Sequence, residues 1–157
     1  MKKISKYYAG LAAIVAVFML ATVTTLFLSG PQPQPNQGWV LISETTTATV
    51  YNAVPSQCND DPLHTASMYT IVPERIEQDR ILAMERTMMA EYGIHYGDLV
   101  LIIGAGDYDG IWQVQDTMNK RFAGQHKIDL LVPEHIRHGK WKNVKVYKQN
   151  TYYASNN

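Results

Sequence analysis

Residues 98–115 read DLVLIIGAGDYDGIWQVQ, and this stretch decides the fold class. Asp98 to Ile103 is an apolar run of strand length. Gly104 to Gly110 is rich in glycine and aspartate, a turn composition, and Ile111 to Gln115 then alternates apolar with polar. Two strand-like runs around a glycine-rich break predict a β-hairpin with a long loop. Working outward, Arg80 to Glu85 is a second compact apolar run, and Thr45 to Tyr51 is β-branched and bounded by the turn-rich Asn52 to Pro62. Toward the C-terminus, Asn143 to Lys148 alternates apolar residues with lysines, which places one face inward and the lysines outward. Helical signal is confined to Thr87–Tyr92 and to Pro133–His138, where proline takes a first-turn position. Short strands separated by turns predict an all-β fold, a small barrel.

The chain has 157 residues, enough for one domain with a short appendage. The appendage is at the N-terminus. Ala9 to Leu28 reads AGLAAIVAVFMLATVTTLFL, without a charge, and a helix of that length spans a bilayer core of about 30 Å. Lys2, Lys3 and Lys6 precede it and no basic residue follows before Arg75, so the rest of the chain is expected on the extracytoplasmic side. A cleaved signal peptide is the alternative, but the run is longer than an ordinary signal core and no A-x-A site follows. The expectation is a single-pass anchor in the inner, cytoplasmic membrane, with the domain on the periplasmic or cell-wall side. Residues 1–29 form the anchor, 30–42 a proline- and glutamine-rich linker, 43–148 the barrel and 149–157 a polar tail.

Cys58 is the only cysteine, so the domain stands on its hydrophobic core rather than on an internal disulfide. The balanced total of 14 basic and 14 acidic residues hides a polarity. Between Pro31 and Asp116 twelve acidic residues face only Arg75, Arg80 and Arg86, whereas eight basic residues face Asp129 and Glu134 from Thr117 onward. A basic C-terminal half suits an anionic polymer or lipid headgroups, and equally a solvated face.

The chemistry concentrates between Gln115 and Leu130, QDTMNKRFAGQHKIDL. A strand delivers Asp116, a polar loop carries Lys120 and Arg121, and Asp129 sits between Ile128 and Leu130. A carboxylate between two aliphatic neighbours is costly to bury unless hydrogen-bonded or protonated. That setting raises a carboxyl pKa and suits a general acid. The same aspartates have a plainer reading, since barrel carboxylates also hold crossing loops through backbone N–H groups.

In these elements the sequence resembles the 3D (Asp-Asp-Asp) domain family of double-psi β-barrels, found in membrane-bound lytic transglycosylase A and related to rare-lipoprotein-A-like proteins and expansins. Thr47 to Tyr51 resembles the opening T-A-Y strand, His64-Thr65-Ala66 the P-T-A segment, and Ile81 to Glu85 the I-A-V-D strand. Tyr96 to Ile102 is similar to the G-T-x-V-x-I strand, Asp116-Thr117 to the D-T-G turn, Ile128-Asp129 to the I-D element, and Val144 to Val146 to the closing V-x-V. The departures are Glu85 in place of the first aspartate and Met118 to Arg121 in place of glycines. The resemblance implies a six-stranded double-psi β-barrel preceded by one N-terminal transmembrane helix. It also implies peptidoglycan glycan strands as partner and lytic transglycosylase-like cleavage. Asp116 would be the acid, Asp129 its partner and Glu85 a third candidate, with Tyr51, Trp112, Lys120 and Arg121 at the sugar. The alternative is a non-catalytic wall-binding or adaptor module, of a phage or mobile element or working with an envelope protein partner.

No cofactor is implied. His135 and His138 have a metal-site spacing without a third ligand cluster, and Asp107-x-Asp109-Gly110 lacks the other ligands of a calcium loop. Gly104-x-Gly106 leads into a strand rather than a helix, so it is no dinucleotide site. Lys140, Lys142, Lys145 and Lys148 fall on a strand, which argues against nucleic acid.

Overall fold

The computed structural model of the chain describes residues 38–58 and 60–150. The apolar run at Ala9–Leu28, most of the linker and the tail from Thr151 lie outside them. Among the described residues no helix is long and apolar enough to cross a membrane.

Six strands close into a barrel: β1 (Trp39–Tyr51), β2 (Ile81–Met84), β3 (Leu99–Ile103), β4 (Gly110–Thr117), β5 (Lys127–Leu131) and β6 (Lys140–Gln149). Their order around the wall is β1-β5-β2-β4-β3-β6. The expected hairpin is the antiparallel β3–β4 pair, whose glycine-rich loop makes one 3-10 turn at Gly106–Tyr108. Asp109 closes that loop, its Oδ1 accepting from the N–H groups of Gly104 and Ala105. The β1–β5 and β2–β4 pairs are parallel; β1–β6, β2–β5 and β3–β6 are antiparallel.

Alternation along each strand fills the barrel. Ala48, Leu82, Met84, Val100, Ile102, Trp112, Val114, Ile128, Leu130, Val144 and Val146 point inward and form one buried cluster with Met88 and Ile94. A second, smaller core lies outside the wall, where the long connection from Asn52 to Arg80 folds back over β2 and β5. Tyr51, Ile81, Ala83, Met118 and Leu131 meet Ile71 and Ile76 there, so the sheet is buried on both faces at this place. Asn52, 3% exposed, ties the connection down: its Nδ2 donates to the carbonyls of Val132, Pro133 and Ile136.

Two short helices interrupt the strands, α1 (Ile76–Asp79) and α2 (Arg86–Tyr92). Helix α2 starts on Glu85, whose carboxylate accepts from Thr87 N and Met88 N, and ends on Gly93 in the left-handed conformation that a helix C-cap needs. Two sequence expectations are corrected. Pro133–His138 is a turn, closed by Ile136 N donating to Pro133 O, and not a helix. A first-turn proline permits a helix, but nothing downstream propagates this one. Strand β1 begins at Trp39, inside the stretch assigned to the linker, because Trp39, Val40 and Leu41 pair with Gln149, Lys148 and Tyr147.

Candidate functional site

The site follows from strand register. Thr49 pairs with Asp129, Asp129 with Ala83, and Ala83 with Asp116, so four residues from β1, β5, β2 and β4 form one row across the wall. On β1, β5 and β2 the neighbours of Thr49, Asp129 and Ala83 pack in the barrel core, hence this row points out. Parity alone would send Asp116 inward, because Val114 is inward and 116 is two residues on. The register of the β2–β4 pair shifts between Leu82 and Ala83, which makes Gln115 the extra residue of a bulge and turns Asp116 to the outer face. With strands spaced 4.7–4.9 Å, the two aspartates stand about 10 Å apart at Cα, and the small Ala83 between them leaves room for a reacting group.

A cavity of about 690 Å³ opens over this row. Val50, Tyr51, Ala83, Asp116 and Asp129 form its floor. The rest of its lining comes from the β1–β2 connection (Ser56 to Cys58, Pro62, His64 to Ala66), from Arg86, and from Thr117, Met118, Asn119, Arg121 and Phe122. Asp116 latches the connection: its Oδ1 accepts from Ala66 N at 2.9 Å and from Thr117 N at 2.8 Å. The Tyr51 hydroxyl donates to Asp116 Oδ2 at a long 3.4 Å. Burial, with the Asp116 carboxylate next, holds that phenol well above its ordinary value, so it keeps its proton. Ser67 Oγ, bonded to Gln115 Oε1 at 2.6 Å, fixes the connection a second time beside the bulge.

Asp129 is in a different state. Burial raises its pKa above the ordinary 3.8; the hydrogen bond from Thr49 Oγ1 to its Oδ1, 2.8 Å, and the Lys127 charge pull the other way, and Asp116 adds to the rise. A half-buried carboxyl that holds its proton above the ordinary range, in an open cavity, can deliver it to a ligand. Cys58 lies half-buried on the wall, its thiol pushed up by burial and its Sγ bonded to Asn52 O at 3.4 Å; a thiol in that state is a poor nucleophile.

Of the residues singled out in the sequence, Asp116, Asp129, Tyr51 and Arg121 meet in this cavity. The other three lie elsewhere. Glu85 is 1% exposed, and its oxygens are taken up by Thr87 N, Met88 N and Gly124 N, which tie α2 to the loop before β5. Burial would raise its pKa, but hydrogen bonding from the Thr87 side chain, followed by these N–H groups, outweighs burial and leaves the carboxyl below its ordinary value. Trp112 is 3% exposed inside the barrel, with Nε1 donating to Tyr108 O at 2.8 Å and the Arg80 guanidinium 4.5 Å from its ring. Lys120 is exposed on the 3-10 turn Lys120–Phe122 and does not line the cavity. Sequence reading missed Thr49, Ala83, Arg86 and the Ser56–Cys58 wall. An alanine between inward aliphatics on β2, facing acids on both neighbouring strands, is a signal only once the register is known.

No family model matches the chain, and no curated protein matches it.

Proposed function

We propose that the chain is a membrane-anchored, extracytoplasmic barrel of the double-psi type that cleaves peptidoglycan glycan strands as a lytic transglycosylase, with Asp129 as its acid. The observation that carries the reading is the pair of carboxyls, Asp116 and Asp129, on one outward row beneath an open cavity, with the pKa of Asp129 raised by burial. Two parallel strand pairs within a closed six-stranded barrel suit the double-psi form. The ordered sequence resemblance points the same way.

In this reading Asp129 protonates the oxygen linking N-acetylmuramic acid to N-acetylglucosamine, and the C1–O bond breaks with oxocarbenium-like charge at C1. The Asp129 carboxylate then takes the proton of the muramyl 6-hydroxyl, whose oxygen closes on C1 to give a 1,6-anhydro sugar. Asp129 ends protonated as it began, and no water is consumed. Asp116 exchanges the acid role expected from sequence for a positioning one. Two N–H groups hold its Oδ1, and Oδ2 accepts from the Tyr51 hydroxyl.

A second reading has its own observation. Asp116 Oδ1 is spent on loop closure, as in a purely structural aspartate, which suits a wall-binding module without turnover. Incubating the full-length chain in non-ionic detergent with purified sacculi, and reading the products by mass spectrometry, separates the two. Anhydro-muropeptides from wild type and none from a folded Asp129→Asn protein support the transglycosylase. Sacculus binding with no product from either supports the binding module.

A further inference from the structure

Two arginines, Arg86 and Arg121, line the cavity. Arg86 is the first residue of α2, set in place by the Glu85 cap beneath it. Arg121 sits on the 3-10 turn that Asn119 caps through Oδ1, 3.1 Å from Arg121 N. The Arg121 guanidinium rests 4.8 Å from the Phe122 ring centroid, while Lys127 Nζ approaches the same ring at 4.1 Å. Such a contact fixes a cation in place without neutralising it.

What these two arginines lack separates them from the others. Arg75 is paired with Asp79 at 2.8 Å, Arg137 with Glu134 at 4.0 Å, and Arg80 donates to the carbonyls of Tyr108 and Asp109. Among the described residues no carboxylate pairs with Arg86 or Arg121, although both line a cavity that holds Asp116 and Asp129. They are therefore not there to neutralise the floor. His64, which also lines the cavity, is engaged with Asp61 at 2.8 Å. A ligand entering the cavity meets Asp116 and Asp129 together with two arginines that no carboxylate pairs.

We propose that Arg86 and Arg121 form a carboxylate subsite, which selects glycan strands that carry carboxylates on sugar or peptide over neutral glycans. The inference rests on the reading of the cavity as a glycan site and deepens it. A guanidinium presents a planar fork of donors that matches a carboxylate in two parallel hydrogen bonds, which a neutral hydroxyl or acetamide cannot return.

The test is binding, so it does not depend on turnover. Full-length protein in non-ionic detergent is titrated with three probes: a neutral oligomer of N-acetylglucosamine, a peptide-free glycan with free lactyl carboxylates, and a peptide-bearing glycan. Wild type is expected to bind at least one carboxylate-bearing probe about tenfold or more tighter than the neutral one. The tighter of the two charged probes identifies whether the carboxylate belongs to sugar or peptide. An R86Q/R121Q protein with an unchanged thermal transition should bind all three alike, at the neutral-probe affinity of wild type. Equal wild-type binding of all probes, or a preference that survives in R86Q/R121Q, overturns the subsite and leaves the glycan reading standing. Absence of binding to every probe, together with no product from sacculi, overturns both.

Discussion

Two rows of four residues cross the outside of this barrel, and they have opposite chemistry. Thr49, Asp129, Ala83 and Asp116 span β1, β5, β2 and β4; Leu41, Tyr147, Leu101 and Ile111 span β1, β6, β3 and β4. The first row crosses two parallel pairs and one antiparallel pair, the second crosses antiparallel pairs alone, and both rows lie on strands whose other face fills the same core. The second row is what stability alone selects. Leu101 is 1% and Tyr147 9% exposed at its centre, while Leu41 at 41% and Ile111 at 36% open toward solvent at its ends. The first row puts an acid where an aliphatic residue would be favourable, and burial disfavours that acid's charge. A carboxyl kept against that cost, beneath a cavity, supports the proposed reading of this row as a site.

Carrying the chemistry of one row into the other gives the largest expected effect. Leu101→Asp places an unpaired carboxylate at a fully buried centre and should cost about 4 kcal/mol or more, enough to unfold a domain of ordinary stability. Circular dichroism with a thermal scan measures it. A folded protein whose transition falls by only a few degrees would mean that the two rows are less different than their burial implies.

The reverse exchange is next in size. If the proposed glycan cleavage runs through Asp129, Asp129→Asn should lower its rate about 10²- to 10⁴-fold, the usual contribution of a general acid, while the fold persists. The sign of its stability effect sharpens the comparison. A carboxyl whose pKa is raised on folding contributes stability below its unfolded value near 3.8, and that contribution is lost as pH rises through the folded value. Asp129→Asn removes this loss, so near neutral pH the variant should melt at or above wild type. A variant melting well below wild type there would assign Asp129 a structural role.

Glu85 provides the contrast within the same barrel. Its pKa is lowered on folding, so its contribution is present above the unfolded value near 4.5 and is lost as pH falls through the folded value. Glu85→Gln removes a helix cap and a charged acceptor for Gly124 N, and should cost about 2 kcal/mol at neutral pH and little in acid. Melting temperatures of wild type, Glu85→Gln and Asp129→Asn across pH should diverge in opposite directions. Parallel curves would remove the distinction between the structural carboxylate and the site carboxyl.

How far these roles can be read in the sequence depends on how local their causes are. The β3–β4 hairpin is legible because both runs and the glycine-rich turn lie within 98–115. The core of β1, β2 and β6 is legible from alternation and β-branching. The first residues of β1 are not, because Gln and Pro precede them and their partners lie about a hundred residues away on β6. Asp129 is suspect in sequence because two aliphatic residues flank it, but its meeting with Asp116 needs two strand registers and a bulge at Gln115. Glu85 shows the converse. It lies two residues before the Thr87–Tyr92 helix signal and caps the helix that forms from Arg86, and a cap explains a buried glutamate without any catalysis. Trp112 alternates inward with Val114, so its strand parity already places the ring in the core rather than against a sugar.

Thr49 sets the smallest effect. Its hydroxyl donates to Asp129 Oδ1 at 2.8 Å and, by stabilising the carboxylate, holds the pKa lower than burial alone would place it. Thr49→Val keeps the shape and the β-branch but deletes the donor. Asp129 should then keep its proton to higher pH. If Asp129 is the acid, the alkaline limb of the cleavage rate reports its deprotonation and should move up in pH, while the maximal rate changes only a fewfold. Stability near neutral pH should fall by about 1 kcal/mol, the ordinary value of one hydrogen bond. A structural role alone would reproduce the small stability loss but not the displaced limb. An unmoved limb would therefore separate Thr49 from the tuning of Asp129 and return the first row to the status of a scaffold that happens to carry acids.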